Sequence, residues 1–146
     1  MTQRHSLSAQ SDAAQLKDAG NKAFAAKKYQ EAVELYSKAI DLDGGNHVLW
    51  GNRSAAKAGL KDWSAALADA EQTVTINPKW AKGYARKGAA LHGLHRWDEA
   101  VSAYEAGIAV EDSPALQKGL TEVKEAQRES QDSCRYQRLL HGTCRG

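Results

Sequence analysis

The sequence predicts an all-α protein, a solenoid of three two-helix repeats closed by a seventh helix. Three observations carry that prediction. Residues of matching size recur at a spacing of 34, apolar residues inside each unit follow helical periodicity, and only two prolines, Pro78 and Pro114, occur in 146 residues. A fixed period of this length is the signature of stacked repeats, each of which needs its neighbours to bury its apolar face.

Five columns run in register. Gly20, Ser54 and Gly88 are small, as are Ala32, Ala66 and Ala100. Leu16, Trp50 and Tyr84 are bulky, as are Tyr29, Trp63 and Trp97. Tyr36, Ala70 and Tyr104 form the fifth. The expected repeats are 13–46, 47–80 and 81–114, after a flexible segment 1–12.

In the first unit Leu16, Gly20, Ala23 and Phe24 share one helical face. A turn at Lys27-Lys28 follows, and Tyr29, Ala32, Leu35, Tyr36, Ala39 and Ile40 mark the second helix. Asp43-Gly44-Gly45-Asn46 breaks the chain and offers Asn46 as a helix cap. The second unit runs from Val48 to Leu60, turns at Lys61-Asp62, and places Trp63, Ala66, Leu67, Ala70 and Val74 before Asn77-Pro78 ends it. The third runs from Trp80 to Leu94, turns at His95-Arg96, and places Trp97, Ala100, Val101, Tyr104 and Ile108. Leu116, Leu120 and Val123 form the stripe of a capping helix over about 114–127. The remaining 128–146 shows no heptad, strand pattern or further repeat, and is expected to be mostly disordered.

Composition excludes several classes. The 20 basic and 18 acidic residues give a net charge of +2. The tail carries that excess, through Arg128, Arg135, Arg138 and Arg145 against Glu129 and Asp132. The balanced remainder lacks the concentrated basic face of a nucleic-acid binder. No apolar run approaches the roughly 18 residues of a membrane span, and the N-terminus has no signal-like apolar core. A cytoplasmic monomer is expected. Cys134 and Cys144 are too few for a disulfide framework, and with His141 they give three ligands where a structural zinc site needs four, so no metal and no cofactor are expected. No catalytic constellation stands out, and the chain reads as a non-enzyme.

The first helices carry a second pattern. Lys17 and Asn21 form an i,i+4 pair on the first helix of unit one, and Lys82 and Arg86 another on the first helix of unit three. Asn52 lies on the helix between them in the stack. Solvation explains any one lysine on a helix face. It explains less well five donors with no acidic residue at the same offsets, and a carboxylate is their natural guest.

The 34-residue unit with small residues at these offsets resembles the tetratricopeptide repeat (TPR). Gly44 and Asp112 stand where that family usually has the proline that Pro78 keeps. The resemblance implies a right-handed superhelix whose first helices line a concave groove. Lys17, Asn21, Asn52, Lys82 and Arg86 match the carboxylate clamp of co-chaperone TPR domains. The strings at 20–24, 46–55 and 77–90 resemble the first TPR domain of the Hsp-organising protein (Hop) family. That likeness implies an adaptor for the C-terminal Glu-Glu-Val-Asp tail of heat shock protein 70, with Ala55 and Ala58 against the peptide's valine. Alternatives are a clamp for the heat shock protein 90 tail, a non-clamp TPR scaffold, or the TPR part of a phosphatase or prolyl isomerase. Gly59, His92 and Gly93 depart from the family where longer side chains would touch the peptide upstream of its last four residues.

Overall fold

The computed structural model describes residues 2–143, with side-chain surroundings from residue 8 onward. Among these residues seven helices follow one another. They are α1 (Thr2–Ala25), α2 (Tyr29–Leu42), α3 (His47–Gly59), α4 (Trp63–Ile76), α5 (Ala81–Gly93), α6 (Trp97–Val110) and α7 (Pro114–His141). The three repeats are α1–α2, α3–α4 and α5–α6. No helix among the described residues is long and apolar enough to cross a membrane.

Local chemistry sets the helix ends. The turn inside each repeat places a non-glycine residue in the left-handed region, at Lys27 (φ 62°), Lys61 (φ 61°) and His95 (φ 59°). Those three are themselves 34 apart, so one backbone solution is used three times. Asn46 caps α3, its side chain accepting from the Val48 N–H at 3.1 Å. Asp62 and Ser113 accept from Ala65 and Leu116 to cap α4 and α7. Pro114 then occupies the first turn of α7, where a missing N–H costs no hydrogen bond.

Packing is that of a solenoid. Each helix packs on the next, and the odd-numbered helices also approach closely in order, α1 to α3, α3 to α5 and α5 to α7; among the described residues the even-numbered backbones make no such approach to one another. The odd helices therefore form the continuous inner layer, and the even ones form the outer layer. Ala32, Ala66 and Ala100 are completely buried. Opposite size requirements meet at the other small column. A Cβ on Gly20 would stand 2.6 Å from the Tyr36 ring, and one on Gly88 2.6 Å from the Tyr104 ring. The middle repeat has Ala70 in place of the tyrosine, and there Ser54 fits and donates to the Ala66 carbonyl at 2.7 Å. Glycine is used where the partner is tyrosine, and a larger residue where it is alanine.

The ends differ from the sequence expectation. Residues expected to be flexible before Ala13 belong to α1, and α7 continues past Gln127 to His141. From Ala115 to His141 Gly119 is the one glycine and no proline intervenes. The helix stops at Gly142, in the left-handed region (φ 73°), whose N–H bonds the Arg138 carbonyl at 2.9 Å. This is the glycine-terminated helix end. Tyr136, Leu139 and Leu140 on that last stretch are exposed. Cys134 is disulfide-bonded; Cys144 and Arg145 lie outside the described residues. Among the described residues no cluster of His, Cys, Asp and Glu could hold a metal ion.

Candidate peptide-binding site

The inner layer brings three helices to one depression. A pocket of about 230 Å³ is lined by Asn21 and Phe24 of α1, Tyr36 of α2, Asn52 and Ala55 of α3, and Arg86 of α5. Side chains from all three repeats thus meet in one place, and no carboxylate is among them. A depression of about 340 Å³ between α5 and α6 carries Asp98 and Glu99 instead, which disfavours an anionic guest.

Arg86 dominates the pocket. Its Nε is buried without a hydrogen-bond partner, and no carboxylate pairs with the guanidinium among the described residues. Burial pulls its pKa below the ordinary value, while the nearby phenols of Tyr36 and Tyr104 act the other way. An arginine starts so far above neutrality that it remains a cation. A half-buried cation with a buried, unpaired N–H and no counterion is costly, and an entering carboxylate would reduce that cost.

The asparagines are linked to each other. Asn52 Nδ2 donates to Asn21 Oδ1 at 3.3 Å, and the Tyr36 hydroxyl donates to the same oxygen at 2.6 Å. Burial raises the Tyr36 pKa and the Arg86 charge opposes it, so the phenol is protonated at neutral pH.

Of the residues read from the sequence, Asn21, Asn52, Arg86 and Ala55 come together. Lys17 and Lys82 do not line the pocket. They stand one turn before Asn21 and Arg86 on α1 and α5, half-buried and exposed respectively, and neither forms an ion pair among the described residues. Ala58 is also outside the lining, packed against the core shared by the second and third repeats. Sequence reading missed Tyr36 and Phe24 as pocket residues. Tyr36 sits in a repeat column and was explained by packing alone; its spacing from Asn21 carried no recognisable pattern.

Gly59 and Gly93 have a structural reason that does not involve a peptide. A Cβ on Gly59 would stand 2.7 Å from the Tyr29 ring, and one on Gly93 2.1 Å from the Trp63 ring. Both glycines admit the aromatic residue of the preceding repeat.

An α-solenoid of three 34-residue, two-helix repeats, with a donor-rich, acid-free pocket on its inner layer, defines a TPR-type domain. No protein-family model matches the chain. It is 47% identical over 119 residues to the heat shock protein sti1 homolog of Schizosaccharomyces pombe, covering 81% of this chain and 20% of that protein. It is 50% identical over 108 residues to the Hsp70-Hsp90 organizing protein of Triticum aestivum, covering 73% and 19%. The chain thus spans about one fifth of the length of these curated relatives. Among solved structures, the first TPR of Spaghetti (RPAP3), bound to the HSP90 peptide SRMEEVD, superposes with a TM-score of 0.76 at 35% identity, covering 80% of this chain and 94% of that one. The chain belongs to the TPR domains of the co-chaperones.

Proposed function

We propose that this domain is a co-chaperone adaptor that holds the C-terminal Glu-Glu-Val-Asp tail of heat shock protein 70 through a carboxylate clamp. Arg86, Asn21 and Asn52 form its floor and Lys17 and Lys82 its rim, with Ala55, joined by Ala58 on the same helix, beside the peptide's valine. The observation that carries the reading is the buried, unpartnered Nε of Arg86 in a pocket lined by two asparagines and no acid. A C-terminal aspartate presents two carboxylates from one residue, which suits donors arriving from two walls. The role is binding without catalysis, in the cytoplasm where these chaperones work.

Each charge-assisted hydrogen bond contributes roughly 1.5–3 kcal/mol, and ordering a flexible peptide removes several kcal/mol of the total. The balance corresponds to micromolar affinity, about −8 kcal/mol. That strength fits an adaptor that must release its partner.

The second reading is the heat shock protein 90 tail, favoured by the peptide in the Spaghetti structure. That peptide ends in the same four residues, so the clamp itself does not separate the two partners. Fluorescence polarisation with both labelled tails, each as free acid and as C-terminal amide, tests the proposal. The free acid of the heat shock protein 70 tail is expected to bind more tightly than the other tail, and amidation to weaken both at least tenfold. Equal affinity of acid and amide would remove the clamp.

A further inference from the structure

A side-chain amide presents a donor at one end and an acceptor at the other, and a carboxylate only accepts. Asn21 can therefore hold a carboxylate only if its nitrogen faces the pocket. In the structure its oxygen is already committed. Asn21 Oδ1 accepts from the Tyr36 hydroxyl at 2.6 Å and from Asn52 Nδ2 at 3.3 Å, which occupies both of its lone pairs. Asn21 Nδ2 has no partner among the described residues. The amide is thus turned with its donor end unused, in the same pocket as Arg86, whose buried Nε also lacks a hydrogen-bond partner.

We infer that Tyr36 is a positioning residue of this site: its hydroxyl fixes the Asn21 amide so that the N–H groups are presented to the incoming carboxylate. The inference rests on the proposed clamp and adds a residue that the sequence pattern did not mark. The Tyr36 side chain is 2% exposed and wedged over Gly20, the residue that precedes Asn21, where even a Cβ would stand 2.6 Å from the ring. The ring has no room to swing, so the hydroxyl is delivered to one place. Burial keeps the phenol protonated and hence a donor.

The repeats provide an internal control. Tyr104 occupies the equivalent place in the third repeat and is wedged over Gly88 in the same way. The residue after Gly88 is Ala89, which has no amide, and the Tyr104 hydroxyl makes no hydrogen bond among the described residues. The second repeat has Ala55 after Ser54 and Ala70 in the tyrosine column. Only the first repeat combines glycine, asparagine and tyrosine, so one packing residue has acquired a task at the pocket.

The test is Tyr36→Phe, which keeps the ring and deletes the hydroxyl, studied beside Asn21→Ala and the double variant by calorimetry with a peptide ending in Glu-Glu-Val-Asp. Tyr36→Phe is expected to weaken the free-acid peptide about five- to tenfold, the effect of one hydrogen bond between neutral groups. It should leave the amidated peptide unaffected and have no further effect once Asn21 is alanine. In nitrogen-resolved NMR of the free protein, the two Asn21 side-chain amide protons should lose their fixed environment in Tyr36→Phe, a readout independent of binding. Wild-type affinity in Tyr36→Phe, with Asn21→Ala still weakened, would overturn the positioning role. So would a loss that persists undiminished in the Asn21→Ala background, since that would reflect packing. Failure of the clamp has a different signature, with Arg86→Ala and amidation both leaving affinity unchanged, and it would take the positioning role with it.

Discussion

Arg53 and Arg86 are two half-buried arginines on neighbouring inner helices, and the fold treats them in opposite ways. Arg53 on α3 is paired within the chain. Its Nε and Nη2 donate to the two oxygens of Asp69 at 2.8 Å each, Nη1 donates to Ser37 Oγ at 3.1 Å, and the guanidinium lies 4.9 Å from the centre of the Trp50 ring. Lys57 Nζ reaches the same Asp69 at 2.9 Å. Asp69, 3% exposed, thus serves two cations and ties α3 to α4. Arg86 on α5 has no such partner, and its Nε is buried and unpaired. A cation completed by its own chain is structural. The proposed clamp assigns the one left open in a pocket to a guest, and on that reading the difference separates scaffold from site better than burial or charge alone.

The largest expected effect breaks the ion-paired side of this comparison. Asp69→Asn removes the only counterion of Arg53 and Lys57 among the described residues, and leaving buried charge uncompensated should lower stability by roughly 3–5 kcal/mol in urea titrations. The next change closes the open side. Asn52→Asp places a carboxylate inside the pocket beside Arg86. It should weaken the tail peptide on the order of a hundredfold by calorimetry, through occupation of the arginine and repulsion of the incoming acid, while stability rises by up to about 1 kcal/mol. Unchanged affinity would mean that the carboxylate binds elsewhere.

The tyrosines around Arg86 give a smaller, pH-dependent signal. Burial pushes Tyr104 up to about 12, with Glu122 adding and Arg86 opposing. Its folded pKa is above the unfolded value of about 10, so the neutral phenol favours the fold. This contribution is complete below about pH 10 and is lost as pH rises toward about 12, because the unfolded chain gives up its proton first. Tyr36, raised in the same direction, adds to it. Unfolding free energies from urea titrations at about pH 9 and about pH 11 should differ by roughly 1.3 kcal/mol through Tyr104 alone, and Tyr104→Phe should flatten that slope. A slope unaltered by Tyr104→Phe would assign it to other groups.

Much of this architecture is legible in the sequence, because a strict period forces one geometry on every unit. The turn at Lys27, Lys61 and His95, the cap at Asn46 and the alanine column at 32, 66 and 100 all stand where the spacing put them. The site is only partly legible. Helical spacing says which residues share a face, and so it found Asn21, Asn52 and Arg86. It does not say how far each side chain reaches, which is why Lys17, Lys82 and Ala58 fall outside the pocket lining that Tyr36 and Phe24 enter. Tyr36 and Tyr104 are equivalent in any repeat alignment and differ only in whether an amide stands beside them. Gly59 and Gly93 were opaque for a related reason, since the ring each accommodates comes from the preceding repeat, 30 positions earlier in both cases. The helical extension to His141 was missed because an absent breaker is a weaker signal than an apolar stripe, and beyond Gln127 the buried stripe has ended.

The central claim is that Arg86 is held for a ligand and contributes little to the fold. Urea titration of the wild type and Arg86→Ala, each with and without saturating Glu-Glu-Val-Asp peptide, tests it in one measurement. Without peptide, Arg86→Ala should unfold at the wild-type urea concentration or higher, since a desolvated charge has been removed. With peptide at about a hundred times its Kd, the wild type should gain close to 2.7 kcal/mol and the variant almost nothing. An Arg86→Ala protein as destabilised as Asp69→Asn, and still protected by the peptide, would contradict the account.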